Sequence, residues 1–275
     1  MGREGELTIT PSSTPKNIVV VGGGPAGMEA ARVSALRGHK VTLVEKRKLG
    51  GALLTSRVSP FKADIRLLEN YYAAQIEKLE IKVVHEEATL DSIRDGDFDA
   101  AVVAVGKVPN TLYMKGMESS KVVQAIDVLS QKAETGQNVV IIGGGMTGVE
   151  TAIFLANQGK NVVIIDKASE IMSNELVTFK ISYFEFLAKK NVVIYTSVEG
   201  KTVTKEAVTF VDKAGNEQSI PADTIIFATG YTANAELSSQ LKNQEQLEIY
   251  QIGDGHRPGK IYDAVHEGYL TGLRI

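Results

Sequence analysis

The chain has 275 residues, of which 43% are hydrophobic and 23% charged, a balance that supports about two packed domains and excludes disorder. Thirty basic against thirty-three acidic side chains leave a formal net charge of −3, and no basic block exists that could follow a phosphate backbone, so no nucleic-acid partner is expected. The absence of cysteine excludes disulfides, thiolate-bound metals, cysteine-ligated iron–sulfur clusters and a redox-active dithiol within the chain. No apolar run approaches the ~20 residues that cross a bilayer, and the stretch from Met1 to Lys16, with Glu4 and Glu6, is unlike a signal peptide. The expected setting is cytoplasmic, without a membrane partner, and residues 1–16, with Pro11 and Pro15, read as a linker.

In chain order, the β-branched run Ile18 to Val21 predicts a buried parallel strand, followed at once by the glycine turn Gly22 to Gly27. A helix is expected from Ala26 to Leu36, stopped by Gly38, and then a strand Val41 to Val44 that ends at Glu45. A helix Ala63 to Lys78 and strands Ile81 to Val84 and Ala100 to Val105 complete the first part. The same grammar then recurs 121 residues on: strand Val139 to Ile142, turn Gly143 to Gly148, a helix to Gln158, and strand Val162 to Ile165 ending at Asp166. That spacing is too long for a solenoid and predicts two copies of one domain type. After the second copy come a helix Phe179 to Lys189, a strand Val192 to Tyr195, two alternating strands between Lys201 and Val211, and a strand Thr224 to Ala228. The last strand, Ile249 to Ile252, with Gly253-Asp254 and a helix from Ile261, has no counterpart in the second copy and is expected to complete the first.

A single GxGxxG is weak, because glycine is common in turns. Here Gly22, Gly24 and Gly27 follow a strand, open a helix and precede an acid 18 residues after the third glycine, and Gly143, Gly145 and Gly148 repeat all three features with Asp166 again 18 residues on. The first glycine permits the tight turn, the second lets pyrophosphate approach the backbone, and the third lets helix and strand pack, with Ala31 and Ala152 extending that packing. The pyrophosphate is then held at the helix N-terminus. Glu45 and Asp166 are placed to accept hydrogen bonds from an adenosine ribose, and a carboxylate repels a 2′-phosphate, so Asp166 favours NADH although Lys167 stands beside it. Each acid also reads as an ordinary solvated strand end. Gly50-Gly51-Ala52 offers a second backbone-exposing turn that a longer cofactor such as FAD could use, or is an ordinary loop, and Asp254 could bind a ribityl hydroxyl. Gly200-Lys201-Thr202 lacks the earlier glycine of a phosphate-binding loop, and His39, His85, His256 and His266 lack metal-ligand spacing.

The run Val20 to Arg32, and the tail Gly253-Asp254 with Lys260 to Gly268, resemble the two-dinucleotide-binding-domain flavoproteins related to glutathione reductase. More closely they resemble the C-terminal region of NADH:flavin oxidoreductases that carry an old yellow enzyme-like barrel, the group of 2,4-dienoyl-CoA reductase and 2-enoate reductase. Gly2-Arg3-Glu4 resembles the link leaving that barrel. Two departures are Val105, where Ala104-Val105-Gly106 stands for the common Ala-Thr-Gly, and the basic turn Gly255 to Gly259.

The resemblance implies two doubly wound Rossmann-like α/β domains, an FAD domain over 17–108 and 232–275 with an NADH domain, 109–231, inserted in it, their cofactors meeting at the interface. It implies FAD on Gly22, Gly24, Pro25, Ala26, Gly27, Glu45, Lys46, Gly50, Gly51, Ala52, Ala104, Gly106, Gly253 and Asp254. NADH is implied on Gly143, Gly145, Met146, Thr147, Gly148, Asp166 and Gly230. No catalytic residue and no metal ligand are expected in the chain. Hydride would pass from NADH to FAD and on to a partner, an N-terminal barrel holding FMN and an iron–sulfur cluster, which reduces an enoate or enoyl thioester. Any homo-oligomer is expected to form through the full-length protein. The alternatives are a non-catalytic module holding only ADP, and a free-standing NADH-dependent reductase of a small electron carrier.

Overall fold

The computed structural model describes residues 5–110, 112–242 and 247–275, so the link-like Gly2-Arg3-Glu4 lies outside the described residues. The chain divides into two compact units: Met1–Arg57, Lys62–Val108 and Thr232–Ile275 form one, Val58–Phe61 and Pro109–Tyr231 the other. Both are Rossmann-like α/β units.

The first unit begins with β1 (Asn17–Val21), α1 (Pro25–Leu36) and β2 (Lys40–Val44). It continues through the short α2 (Leu53–Ser56), α3 (Ile65–Lys78), β3 (Lys82–Val84), α4 (Leu90–Arg94) and β4 (Ala100–Val103), and leaves through β5 (Lys107–Pro109). The second unit runs through β6 (Val122–Gln124), α5 (Ala125–Leu129), β7 (Asn138–Ile142), α6 (Met146–Asn157), β8 (Asn161–Ile165), α7 (Val177–Lys189), β9 (Val193–Tyr195), β10 (Val198–Val203), β11 (Ala207–Asp212), β12 (Glu217–Pro221) and β13 (Thr224–Phe227). The chain returns through β14 (Tyr231–Ala233), and α8 (Glu236–Leu241), β15 (Glu248–Gln251) and α9 (Ile261–Arg274) complete the first unit.

The first sheet is five-stranded and parallel, in the order β15-β4-β1-β2-β3. Alternation along β1 sends Ile18 and Val20 into a core shared with α1, α3 and α9, and Val19 and Val21 into a second core with Ile93 of α4 and Leu241 of α8. Both faces are covered, which is why the strand reads as continuously apolar. Helix α9 approaches α1 closely because Gly268 and Gly272 face it: a Cβ at Gly268 would fall 2.4 Å from the Ala26 carbonyl oxygen. The described residues 5–16 form no helix or strand but are fastened to this unit, Ser12 N–H donating to Arg37 O at 2.8 Å and the Tyr269 hydroxyl to Leu7 O at 2.5 Å.

The second sheet is again five-stranded and parallel, in the order β6-β13-β7-β8-β9. Val139 and Ile141 face α5, α6 and α7, whereas Val140 and Ile142 face the antiparallel sheet β10-β11-β12.

Two expectations are corrected here. The outer position held by β15 in the first sheet is held in the second by β6, so the last strand and its helix do have a counterpart, supplied from the other end of the repeat. Three residues of β6 carry too little pattern to be seen in advance. The two alternating strands expected between Lys201 and Val211 are also joined by a third, β12, whose polar residues and Pro221 suit an edge position. Among the described residues no helix is long and apolar enough to cross a membrane.

Candidate functional site

In the first unit, three glycines of one turn are required for different reasons. Gly22 has φ +108°, and a Cβ there would lie 2.3 Å from the Ala104 carbonyl oxygen; a Cβ at Gly27 would lie 1.9 Å from the Gly22 carbonyl oxygen. The fold itself demands both. Gly24, by contrast, has φ −79° and ψ 179°, open to any residue, and a Cβ there would find only the Gly51 Cα at 4.0 Å. Nothing in the chain explains that glycine; a side chain would instead fill the space ahead of α1, where no side chain caps the helix and Pro25 occupies its first position. An open cradle at uncapped N–H groups fits a pyrophosphate.

The surrounding backbone is drawn toward that cradle. Glu45 accepts the Gly23 N–H at 2.7 Å and the Arg47 N–H at 2.8 Å, which fixes its carboxylate at the end of β2. Gly50 donates to the Gly23 carbonyl at 2.8 Å, and a Cβ on Gly51, at φ +52°, would fall 2.8 Å from the Gly24 Cα. Gly253, at φ +64°, places its missing side chain 2.8 Å from the Ala26 Cβ, and its N–H donates to Glu267 at 2.6 Å. The structure therefore brings together Gly22 to Gly27, Glu45, Ala104, Gly50-Gly51 and Gly253. Ala52 is the N-cap of α2, and Gly106 turns the chain at φ +80°. Lys46 instead pairs with Glu87 at 2.5 Å, and Asp254 is engaged by Lys107 at 2.8 Å and by the Gly259 N–H at 2.8 Å.

The second unit repeats this construction. A Cβ at Gly143, φ +110°, would lie 2.3 Å from the Ala228 carbonyl oxygen, and one at Gly148 would lie 1.9 Å from the Gly143 carbonyl oxygen. Gly145 again has ordinary extended backbone, and a Cβ there would meet nothing within 4 Å. Asp166 accepts the Gly144 N–H and, at 2.7 Å, the Ala168 N–H. Met146 and Thr147 open α6, and Gly230, φ +90°, is latched by its carbonyl accepting the Asn110 N–H at 3.0 Å.

One feature of both helices escaped the sequence reading. Glu29 and Glu150, each two residues after the third glycine, are buried at 4% and 6% exposure. Arg32 forks onto both oxygens of Glu29 at 2.8 Å, and the hydrogen bond to Glu29 raises its own pKa. Burial, and secondarily Glu29, pushes the Tyr72 hydroxyl well above the usual phenol range. In the second unit the Tyr183 hydroxyl donates to Glu150 at 3.1 Å, and burial followed by Glu150 pushes it up likewise. Phe61, from the excursion Val58–Phe61, packs on Tyr183 with ring centroids 4.8 Å apart. The shared offset of the two glutamates was the available signal. Among motifs set aside, Gly200-Lys201-Thr202 lies in β10, His39 is buried with Nδ1 accepting the Lys16 N–H at 3.0 Å, and His266 stacks on Tyr262 at 3.8 Å.

Comparison with known proteins follows the same lines. The family model described as pyridine nucleotide-disulphide oxidoreductase matches residues 16–268. The chain is 34% identical to a metal reductase of Desulforamulus reducens, over 99% of this chain and 46% of that protein. It is 33% identical to a cinnamate reductase of Clostridium sporogenes, over 100% and 41%. An NADH oxidase of Thermoanaerobacter brockii is 34% identical over 100% of this chain and 43% of its own length. The chain thus spans less than half the length of these curated relatives. Among solved structures, a 2-naphthoyl-CoA reductase superposes with a TM-score of 0.95 at 34% identity, over 99% of this chain and 42% of that one. Thioredoxin reductase of Lactococcus lactis, at 19% identity and a TM-score of 0.75 over 94% and 97%, shares the fold. With no cysteine, this chain carries no disulfide of its own. Two repeated cradles and the match along nearly the whole chain place it in the pyridine nucleotide-disulphide oxidoreductase family, whose members depend on FAD and NAD(P)H.

Proposed function

We propose that the chain is the electron-input module of a larger flavoprotein reductase, binding FAD on the first loop and NADH on the second. The observation that carries this reading is that Gly24 and Gly145 are glycine without any demand from the chain, each at the uncapped start of a helix. The assignment of the longer cofactor to the first loop is supported by Gly51 and Gly253, which bring two further stretches of backbone against it. When bound, FAD and NADH supply the redox chemistry, hydride passing from the nicotinamide to the flavin. The residues of this chain bind and orient: the glycine turns receive pyrophosphate, and Glu45 and Asp166, already held by backbone N–H groups, receive ribose hydroxyls. The electrons then leave for an N-terminal barrel, holding FMN and an iron–sulfur cluster, that reduces an enoate or enoyl thioester. The partial coverage of the cinnamate reductase and of the naphthoyl-CoA reductase supports the presence of a further domain.

The test pairs the purified chain with the full-length protein. Loaded with FAD, the chain is expected to oxidise NADH with a dye acceptor and to leave enoates and enoyl thioesters untouched, while the full-length protein reduces them. Enoate reduction by the chain alone overturns the reading. A second reading, ADP in place of FAD, is favoured by the Asp254 carboxylate, which is held in an ion pair with Lys107 as well as by the Gly259 N–H, whereas Glu45 and Asp166 are held by backbone N–H groups. A colourless protein that retains ADP and fails to reduce the dye would establish it.

A further inference from the structure

We propose that Glu69 and Lys180 are positioning residues for the two dinucleotides, each stapling the segment that folds back onto the glycine turn of its own unit. The proposal rests on the assignment of FAD to the first loop and NADH to the second. Glu69 and Lys180 are buried charges, 7% and 8% exposed, and a charge removed from water is costly unless it is paired.

The two residues hold one place in two helices. Helix α3 buries Glu69, Tyr72 and Ile76, and α7 buries Lys180, Tyr183 and Leu187, the same order of charge, tyrosine and aliphatic residue at the same helical spacing. Only the sign of the charge is reversed.

In the first unit Glu69 Oε2 accepts from the Arg57 guanidinium at 2.5 Å, and Oε1 lies 3.6 Å from the Lys48 ammonium. These two cations stand at the ends of the stretch that carries Gly50 and Gly51. Within it both glycines have positive φ, +124° and +52°, α2 is a single turn, and Leu53 alone among the side chains is buried. Such a segment has little order of its own. Yet the Gly50 N–H meets the Gly23 carbonyl at 2.8 Å, and Gly51 stands against Gly24.

In the second unit the signs are exchanged, Lys180 Nζ holding Glu170 at 3.0 Å. Glu170 precedes Ile171, whose side chain lies against Gly144, and Met172, whose N–H donates to the Gly144 carbonyl at 2.8 Å. Met172 takes a left-handed φ of +52°, which a non-glycine residue keeps only where its surroundings impose it. Without either staple, the ordering of these segments would fall on the binding step and lower affinity.

The experiment titrates FAD into flavin-free protein and NADH into FAD-saturated protein, and follows amide exchange of both segments without cofactor. Glu69→Gln is expected to weaken FAD about three- to tenfold and Lys180→Gln to weaken NADH about two- to fivefold, the scale of a charge-assisted hydrogen bond with a partly exposed partner. Each variant should leave the other dinucleotide unchanged and quicken exchange in its own segment alone. Combined with Gly51→Ala, Glu69→Gln should loosen FAD by less than the product of the separate effects, because both act through one turn. Where a variant fails to fold, Arg57→Gln and Glu170→Gln break the same pairs from their more exposed sides. Unchanged affinity for the dinucleotide of the altered unit, equal loss of both, or exchange that quickens throughout the unit overturns the positioning role. Normal flavin content in Gly24→Val, or normal NADH binding in Gly145→Val, overturns instead the loop assignment beneath it.

Discussion

The two glycine turns are built to one plan and finished differently. In each, the first and third glycines are enforced by carbonyl oxygens of the chain, and an acid at the end of the second strand is clamped by the N–H of the glycine after the first. Around Gly24, however, two glycine turns close in, at Gly51 and at Gly253, whereas the second turn is met by Ile171 and Met172, with the Met172 N–H donating to the Gly144 carbonyl at 2.8 Å, and a Cβ at Gly145 would meet nothing within 4 Å. The common part is an anion cradle, set by a short local sequence. On the proposed reading, what each cradle accepts beyond a pyrophosphate depends on which distant segment folds back on it, a glycine turn in the first unit and Ile171-Met172 in the second.

The largest effect expected from this comparison is at the third glycines. Gly27→Val or Gly148→Val would drive side-chain carbon into a carbonyl oxygen 1.9 Å away, so each should unfold its own unit, read as loss of one thermal transition. A folded Gly148→Val protein would contradict the plan. At the middle glycine the expectation reverses: Gly24→Val keeps the fold and abolishes flavin binding, and Gly145→Val keeps flavin and loses NADH. Normal flavin content in Gly24→Val, measured by absorbance of the purified protein, would sink the assignment of the first loop.

Smaller effects test the clamps and the added turns. Asp166→Ala should weaken NADH binding by about 1–3 kcal/mol, as for a lost charged hydrogen-bond partner, with the NADH over NADPH preference shrinking in the same titration. Gly51→Ala, which strains a positive φ and presses on Gly24, should loosen FAD roughly fivefold or more, since such strain costs on the order of 1 kcal/mol. NADH binding should not change, because Gly51 belongs to the first unit and presses on Gly24 alone.

The smallest effect concerns equivalent positions just before the second strand of each unit. His39 in the first is buried, and burial, then Arg37 and Lys16, hold its imidazole below the usual range. Lys160 in the second instead donates to the Thr135 and Gly136 carbonyls. The unfolded chain takes up a proton that folded His39 refuses, so this contribution is complete above roughly pH 6.5 and is lost as pH falls below it. Acid should therefore weaken the first unit before the second, and His39→Gln should remove the difference in melting curves taken across that range.

Much of this architecture was legible because its signals are local. The runs Ile18 to Val21 and Val139 to Ile142 are apolar on both faces, which only a strand covered on both sides needs, and the glycines and acids stand at spacings that one strand, turn and helix impose. The sequence by itself determined those units, their repetition and the absence of thiol chemistry. It could not show that three-residue β6 takes the place of β15, that β12 joins a third strand to the meander, or that Glu29 and Glu150 are buried with tyrosines from other helices, because these depend on partners far along the chain. The tertiary structure alone decided that Asp254 is met by Lys107, that Lys46 turns to Glu87, and that Gly51 and Gly253 close on the first cradle. Local backbone geometry propagates through a few residues and is written in their order; a charge or a turn acquires its role only from what folding sets against it.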